Sequence, residues 1–168
     1  MITDVGEYIV GAYLKIIKNC DFIVYNERFP GGGIKGLNDL DVVGIDHKLN
    51  RVYLCEVTTH IRGVLYKDNE TTVKKIIQKY ELQQEYAGQV LTDFKNKHFM
   101  FWSPVVPKGY VTEQLVEIDG LEAVINEKYT EAIAELWEVA SKTTHQSGNP
   151  FFRILQILTH LRGDKFKL

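Results

Sequence analysis

Residues 36–59 read GLNDLDVVGIDHKLNRVYLCEVTT. Two apolar runs, Val42-Val43-Gly44-Ile45 and Val52-Tyr53-Leu54-Cys55, flank the short polar stretch Asp46-His47-Lys48-Leu49-Asn50-Arg51. Runs of β-branched and apolar residues on either side of a short turn predict a β-hairpin. Asp41 opens the first run and Glu56 closes the second, both at positions that should be interior. Carboxylates are rarely buried unless paired, hydrogen-bonded or bound to a cation. A loop of two or four residues sets Asp46 against Arg51 and therefore Asp41 against Glu56. Directly opposite residues project to one face with Cβ atoms about 5 Å apart. Two bare carboxylates at that separation repel, and one must hold a proton unless a divalent cation lies between them. A loop of three or five residues sends them to opposite faces instead. The pair points to a metal site, and with it to hydrolytic chemistry.

Thr58 lies two residues beyond Glu56 and shares its face. Ahead of the hairpin, Pro30-Gly31-Gly32-Gly33-Ile34-Lys35-Gly36 holds four glycines in seven residues. Such a loop lets another backbone approach closely and would admit a phosphate chain, or serves only as a connector.

The order Asp41, then Glu56-Val57-Thr58, resembles the pattern of the PD-(D/E)XK, or restriction-endonuclease-like, nuclease superfamily. The resemblance covers roughly residues 3–103. It implies an α/β fold with a mixed sheet. Its core is a helix, a three-stranded antiparallel meander, a second helix and a further strand. It also implies a metal-dependent endonuclease or exonuclease acting on nucleic acid, with DNA expected. On this resemblance Asp41 is the central ligand of Mg²⁺ or Mn²⁺, Glu56 the second and the Val57 backbone carbonyl a further one. Glu7, on the first helix, matches the superfamily's additional acidic ligand. Glu7 also suits a capping box behind Thr3 or Asp4, a role that needs no metal. The chain departs from the pattern at one place: Thr58 occupies the position of the superfamily's lysine. Lys74, in the first turn of the second helix, is the leading replacement, ahead of Lys75, Lys79, Lys67 and Lys35. Lys35, His60 and Arg62 are candidate contacts to substrate. The alternative is a catalytically weak or inactive domain of the same fold that binds nucleic acid or another partner.

Helical spacing predicts helices over residues 4–19, 70–87, 127–141 and 150–162. Strands are expected at residues 21–29 and 97–106, with residues 121–125 either a short strand or a loop. Residues 1–168 read as one nuclease-like domain, with the core at roughly 3–106 and a C-terminal helical addition at 107–168. The 168 residues are 45% hydrophobic and 25% charged, as in soluble globular chains. A net charge of −2 excludes a uniformly basic surface, so any nucleic-acid contact must be local. Cys20 and Cys55 sit in apolar surroundings and read as buried thiols. Without a signal-like N-terminus or a membrane-length apolar run, a cytoplasmic location and no membrane partner are expected. The apolar residues of 150–158 offer a homodimer interface or pack on the parent domain.

Overall fold

A computed structural model describes residues 3–29, 39–63 and 66–161. Its elements, in chain order, are α1 (Val5–Ile16), β1 (Phe22–Arg28), β2 (Asp39–Asp46), β3 (Arg51–Val57) and α2 (Asn69–Gln89). β4 (Asn96–Ser103), α3 (Tyr110–Val116), β5 (Leu121–Ile125), α4 (Glu127–Lys142) and α5 (Pro150–Thr159) follow. The five strands form one mixed sheet in the order β1-β2-β3-β4-β5. β1, β2 and β3 are antiparallel, whereas β4 and β5 run parallel to β3.

The hairpin closes through Asp46 opposite Arg51. Arg51 donates to Asp46 from Nη2 at 2.9 Å and Nε at 3.3 Å, and the Leu49 amide donates to the same carboxylate at 3.1 Å. Asn50 takes φ +49, a left-handed value that asparagine tolerates. This four-residue turn fixes the register, with Val42 against Cys55 and Val43 against Leu54.

Alternation along the strands then sorts the side chains into two cores. Val42, Tyr53, Cys55, Met100, Trp102 and Val124 meet α1, α4 and α5 on one face. Val43, Val52 and Leu54 meet Tyr86 and Ala87 of α2 on the other, where Phe101 and Ala123 meet Val73, Ile76 and Leu115. Val52 and Leu54 are fully buried, each worth about 1.5–3 kcal/mol relative to an exposed side chain. The parallel steps β3-α2-β4 and β4-α3-β5 place α2 and α3 together on the same face of the sheet.

In the C-terminal part, the strand alternative holds at residues 121–125: β5 extends the sheet beside β4, among the helices α3, α4 and α5. The strand expected over 97–106 stops at Ser103, and α3 forms in a stretch assigned no helix. α5 turns Phe152, Leu155 and Gln156 inward and leaves Ile154 and Ile157 about half exposed.

α1 lies close on the sheet because of Gly11. A Cβ there would run into the Tyr25 hydroxyl, which accepts from Asn149 Nδ2 at 3.3 Å and so has little freedom to retreat. Alanine gains about 0.5–1 kcal/mol in helix propensity, but overpacking costs roughly 1–3 kcal/mol. Gly11→Ala is therefore expected to lower the urea midpoint. An unchanged or higher midpoint would show that the contact yields.

Candidate functional site

Asp41 and Glu56 occupy neighbouring strands on the α2 face of the sheet. Asp41 is one step beyond the Val42–Cys55 pair, so the register brings it opposite Glu56. The Val57 amide donates to Asp41 Oδ2 at 2.7 Å. In an extended strand the amide and carbonyl of one residue point the same way, so the Val57 carbonyl also faces the Asp41 side. Thr58 turns its amide to the other neighbour, donating to the Trp102 carbonyl at 2.9 Å. Its side chain lines a cavity next to Glu56.

The cation in this site is Lys79. Its Nζ lies 3.0 Å from Glu56 Oε1 and 3.3 Å from Oε2. Lys74, the lysine favoured from sequence, is exposed and does not fill this position. The reason is helical phase. Lys79 lies three residues after buried Ile76 and four before buried Gln83, on the sheet-facing stripe. Lys74 is two residues before Ile76 and falls about 200° around the helix.

Glu7 enters from α1. Asp4 caps that helix, its Oδ1 accepting from the Gly6 amide at 2.9 Å. A Cβ at Gly6 would collide with Thr59 and press on Val57, so this glycine lets the first turn of α1 reach the end of β3. Glu7 is buried, and its Oε2 accepts from Asn26 Nδ2 at 2.7 Å. Asn26 sits in β1 with φ +54, between the Tyr25–Val42 and Glu27–Leu40 pairs. Left-handed backbone within a strand is a strained state that surrounding contacts must hold. Here the bond to Glu7 supplies one such contact.

Among the described residues, no three His, Cys, Asp or Glu side chains are gathered closely enough to hold a metal ion by themselves. A cation here would need Asp41, Glu56, a backbone carbonyl and water. His60 and Arg62 are exposed in the turn after β3. β3 ends at Val57, so strand alternation does not carry His60 onto the Glu56 face. Lys35 and the glycine loop lie outside the described residues.

The electrostatics show what the site lacks. Burial raises the Glu56 carboxyl to about 8; the charge of Asp41 adds to this and Lys79 opposes it. Burial also raises Asp41, against the Val57 hydrogen bond and Lys79. Glu7 is raised by burial, against its bonds from Asn26 and the Asp4 amide. Burial alone would lower Lys79, but Glu56 and Asp41 outweigh it and raise the ammonium, which stays charged. One ammonium faces two carboxylates, so at neutral pH the pair retains a proton or gains a cation.

A pH dependence follows. Between 4.5 and about 8 the folded chain keeps a proton on Glu56 that the unfolded chain has released. Stability then falls as pH rises through that window. Thermal midpoints of the metal-free protein are expected to drop steadily across it, with Glu56→Gln flattening the slope. Midpoints that hold level or climb across the window would contradict the assignment.

Sequence reasoning passed over Asn26, Tyr66 and the precedence of Lys79. An asparagine inside the apolar stretch DFIVYNERF and the phase of α2 were the available signals. Nothing marked Tyr66, which lies in an irregular connection. Comparison with protein-family models, with curated proteins and with solved structures found no match.

Proposed function

We propose that this chain is a metal-dependent nuclease of the PD-(D/E)XK, restriction-endonuclease-like kind, hydrolysing phosphodiester bonds of DNA with Mg²⁺ or Mn²⁺. The observation that carries the reading is the meeting of Asp41 and Glu56 on one face, with a single lysine against two carboxylates. The order α1-β1-β2-β3-α2-β4, with β4 parallel to β3, agrees with it. Asp41, Glu56 and the Val57 carbonyl form an oxygen-rich donor set of the type magnesium favours. Glu7 stands behind them as an outer acid, oriented by Asn26.

When bound, such an ion supplies polarisation of the attacking water and of a phosphoryl oxygen. The chain's own groups do the rest. Lys79 takes the part first given to Lys74: its ammonium holds the water and balances charge growing on the phosphate. The Thr58 hydroxyl offers a neutral donor at the same rim. In the reaction, water oxygen bonds to phosphorus and the bond from phosphorus to one sugar oxygen breaks. The leaving oxygen takes up a proton, and the water's proton passes to solvent.

One observation favours the inactive alternative: Lys79 already satisfies Glu56, so the acid has a partner without any metal. The two readings separate in one assay. Plasmid nicking and oligonucleotide cleavage are expected with Mn²⁺ or Mg²⁺ and should stop with EDTA. Calorimetric titration of Mn²⁺ should show heat with wild type. Negligible heat together with no cleavage would overturn the nuclease reading. Among the described residues, no helix is long and apolar enough to cross a membrane.

A further inference from the structure

A cavity of about 440 Å³ opens beside Glu56, between the end of β3, β4, α2 and Tyr66. Its size falls within the roughly 300–1,000 Å³ usual for small-molecule sites. A continuous duplex sliding past two carboxylates needs a groove and would leave such a recess unfilled.

The lining is suited to a flat, anionic guest. Tyr66 and Phe101 supply aromatic wall, Thr58 and Gln78 supply hydrogen-bonding groups, and Lys75 joins Lys79 as a second cation. Tyr66 is held in place: its amide donates to Thr72 Oγ1 at 2.8 Å, and that hydroxyl donates to the Asp68 carbonyl at 2.7 Å. Thr72 is fully buried, so the anchor is internal. The Lys75 ammonium lies 4.5 Å from the centre of the Tyr66 ring. A lysine on a flexible four-carbon stem can leave an aromatic face for a phosphate. Base stacking on an aromatic side chain beside a local cation is the general means of gripping unpaired nucleic acid.

Resting on the nuclease reading above, we propose that this cavity receives one unpaired nucleotide of the substrate. Its base lies against Tyr66 and its phosphate turns to Lys75, which brings the adjoining phosphodiester over Asp41 and Glu56. The enzyme therefore works on single strands, flaps and frayed ends, and poorly within intact duplex.

The test uses oligonucleotides carrying 2-aminopurine in a single strand, at a flap terminus or inside a blunt duplex. Fluorescence in EDTA reports stacking, and cleavage is followed with Mn²⁺. Wild type should quench the unpaired probes and cleave them at least about tenfold faster than duplex, by kcat/KM. Tyr66→Ala should lose roughly 5- to 150-fold on unpaired substrate, and Tyr66→Phe should recover most of it. Lys75→Ala, at an exposed position that does not threaten folding, should weaken binding and reduce the salt slope by about one. Equal cleavage of duplex and single strand, unaltered in Tyr66→Ala and Lys75→Ala, would overturn the pocket while leaving the nuclease intact. Quenching that depends on Tyr66, without cleavage under any divalent metal, would support the pocket and overturn the nuclease. Neither quenching nor cleavage would overturn both.

Discussion

On the nuclease reading proposed above, Asp41→Asn is expected to slow cleavage by orders of magnitude while leaving the protein as stable as wild type, or more so. Metal-assisted charge stabilisation is worth several kcal/mol. At 1.36 kcal/mol per decade, that is on the order of 10³-fold in rate. The stability change should have the opposite sign. Asparagine keeps an oxygen to accept from the Val57 amide. It removes one of two negative charges that burial already penalises, and Glu56 is left with Lys79 as a matched pair. A gain of ~1 kcal/mol would appear as roughly 2–4 °C in Tm for a chain of this size. The measurements are cleavage rates with Mn²⁺ and thermal melts without it, near pH 8. A variant that cuts at the wild-type rate would exclude Asp41 from the chemistry. One that is strongly destabilised would show that its carboxylate is a structural anchor.

Lys79→Met carries the second large effect. Removing a preorganised donor near developing charge costs roughly 10²–10³ in rate, and this substitution also strips Glu56 of its partner. Breaking a fully buried ion pair costs about 3–5 kcal/mol. Here the two side chains retain 23% and 14% exposure, and Glu56 can take a proton instead, so the loss should fall below that range. It should also depend on pH: pronounced near pH 8, where the orphaned carboxyl is driven to ionise, and small near pH 5, where it is already neutral. Lys74→Ala is the internal control. Its side chain is exposed, so stability should stay within about 0.5 kcal/mol of wild type and cleavage should be unaffected. If Lys79→Met cuts normally and Lys74→Ala does not, the assignment of the lysine reverses.

The hairpin was readable because its determinants are local. A polar four-residue turn flanked by Asp46 and Arg51 defines the register, and period-two alternation then assigns each side chain to a face. The lysine that meets Glu56 is Lys79 rather than Lys74 because rotation about the helix axis, not nearness along it, decides which residues reach the sheet. Lys74 begins the helix, yet the stripe through Thr72, Ile76 and Gln83 decides which residues meet the sheet. At residues 121–125 strand and loop stay open from sequence because LEAVI is only five residues long and pairs with β4 across a crossover, so its identity as β5 depends on a distant partner. Tyr66 gained its place from the return of the chain into α2, a feature that local periodicity does not encode. Glu7 illustrates the overlap of roles: the same first-turn acid accepts from the Asp4 amide at the helix cap and feels the charge of Asp41.

The strands lie side by side in the order in which they are synthesised. During translation, the hairpin of β2 and β3 can therefore close on β1 as soon as these leave the ribosome, because its contacts span short loops. At that moment both acids are in register, and the neutralising amine of Lys79 has yet to be delivered by α2. The nascent sheet thus carries an uncompensated anionic spot, which makes α2 the element whose arrival switches the local balance from repulsive to cohesive.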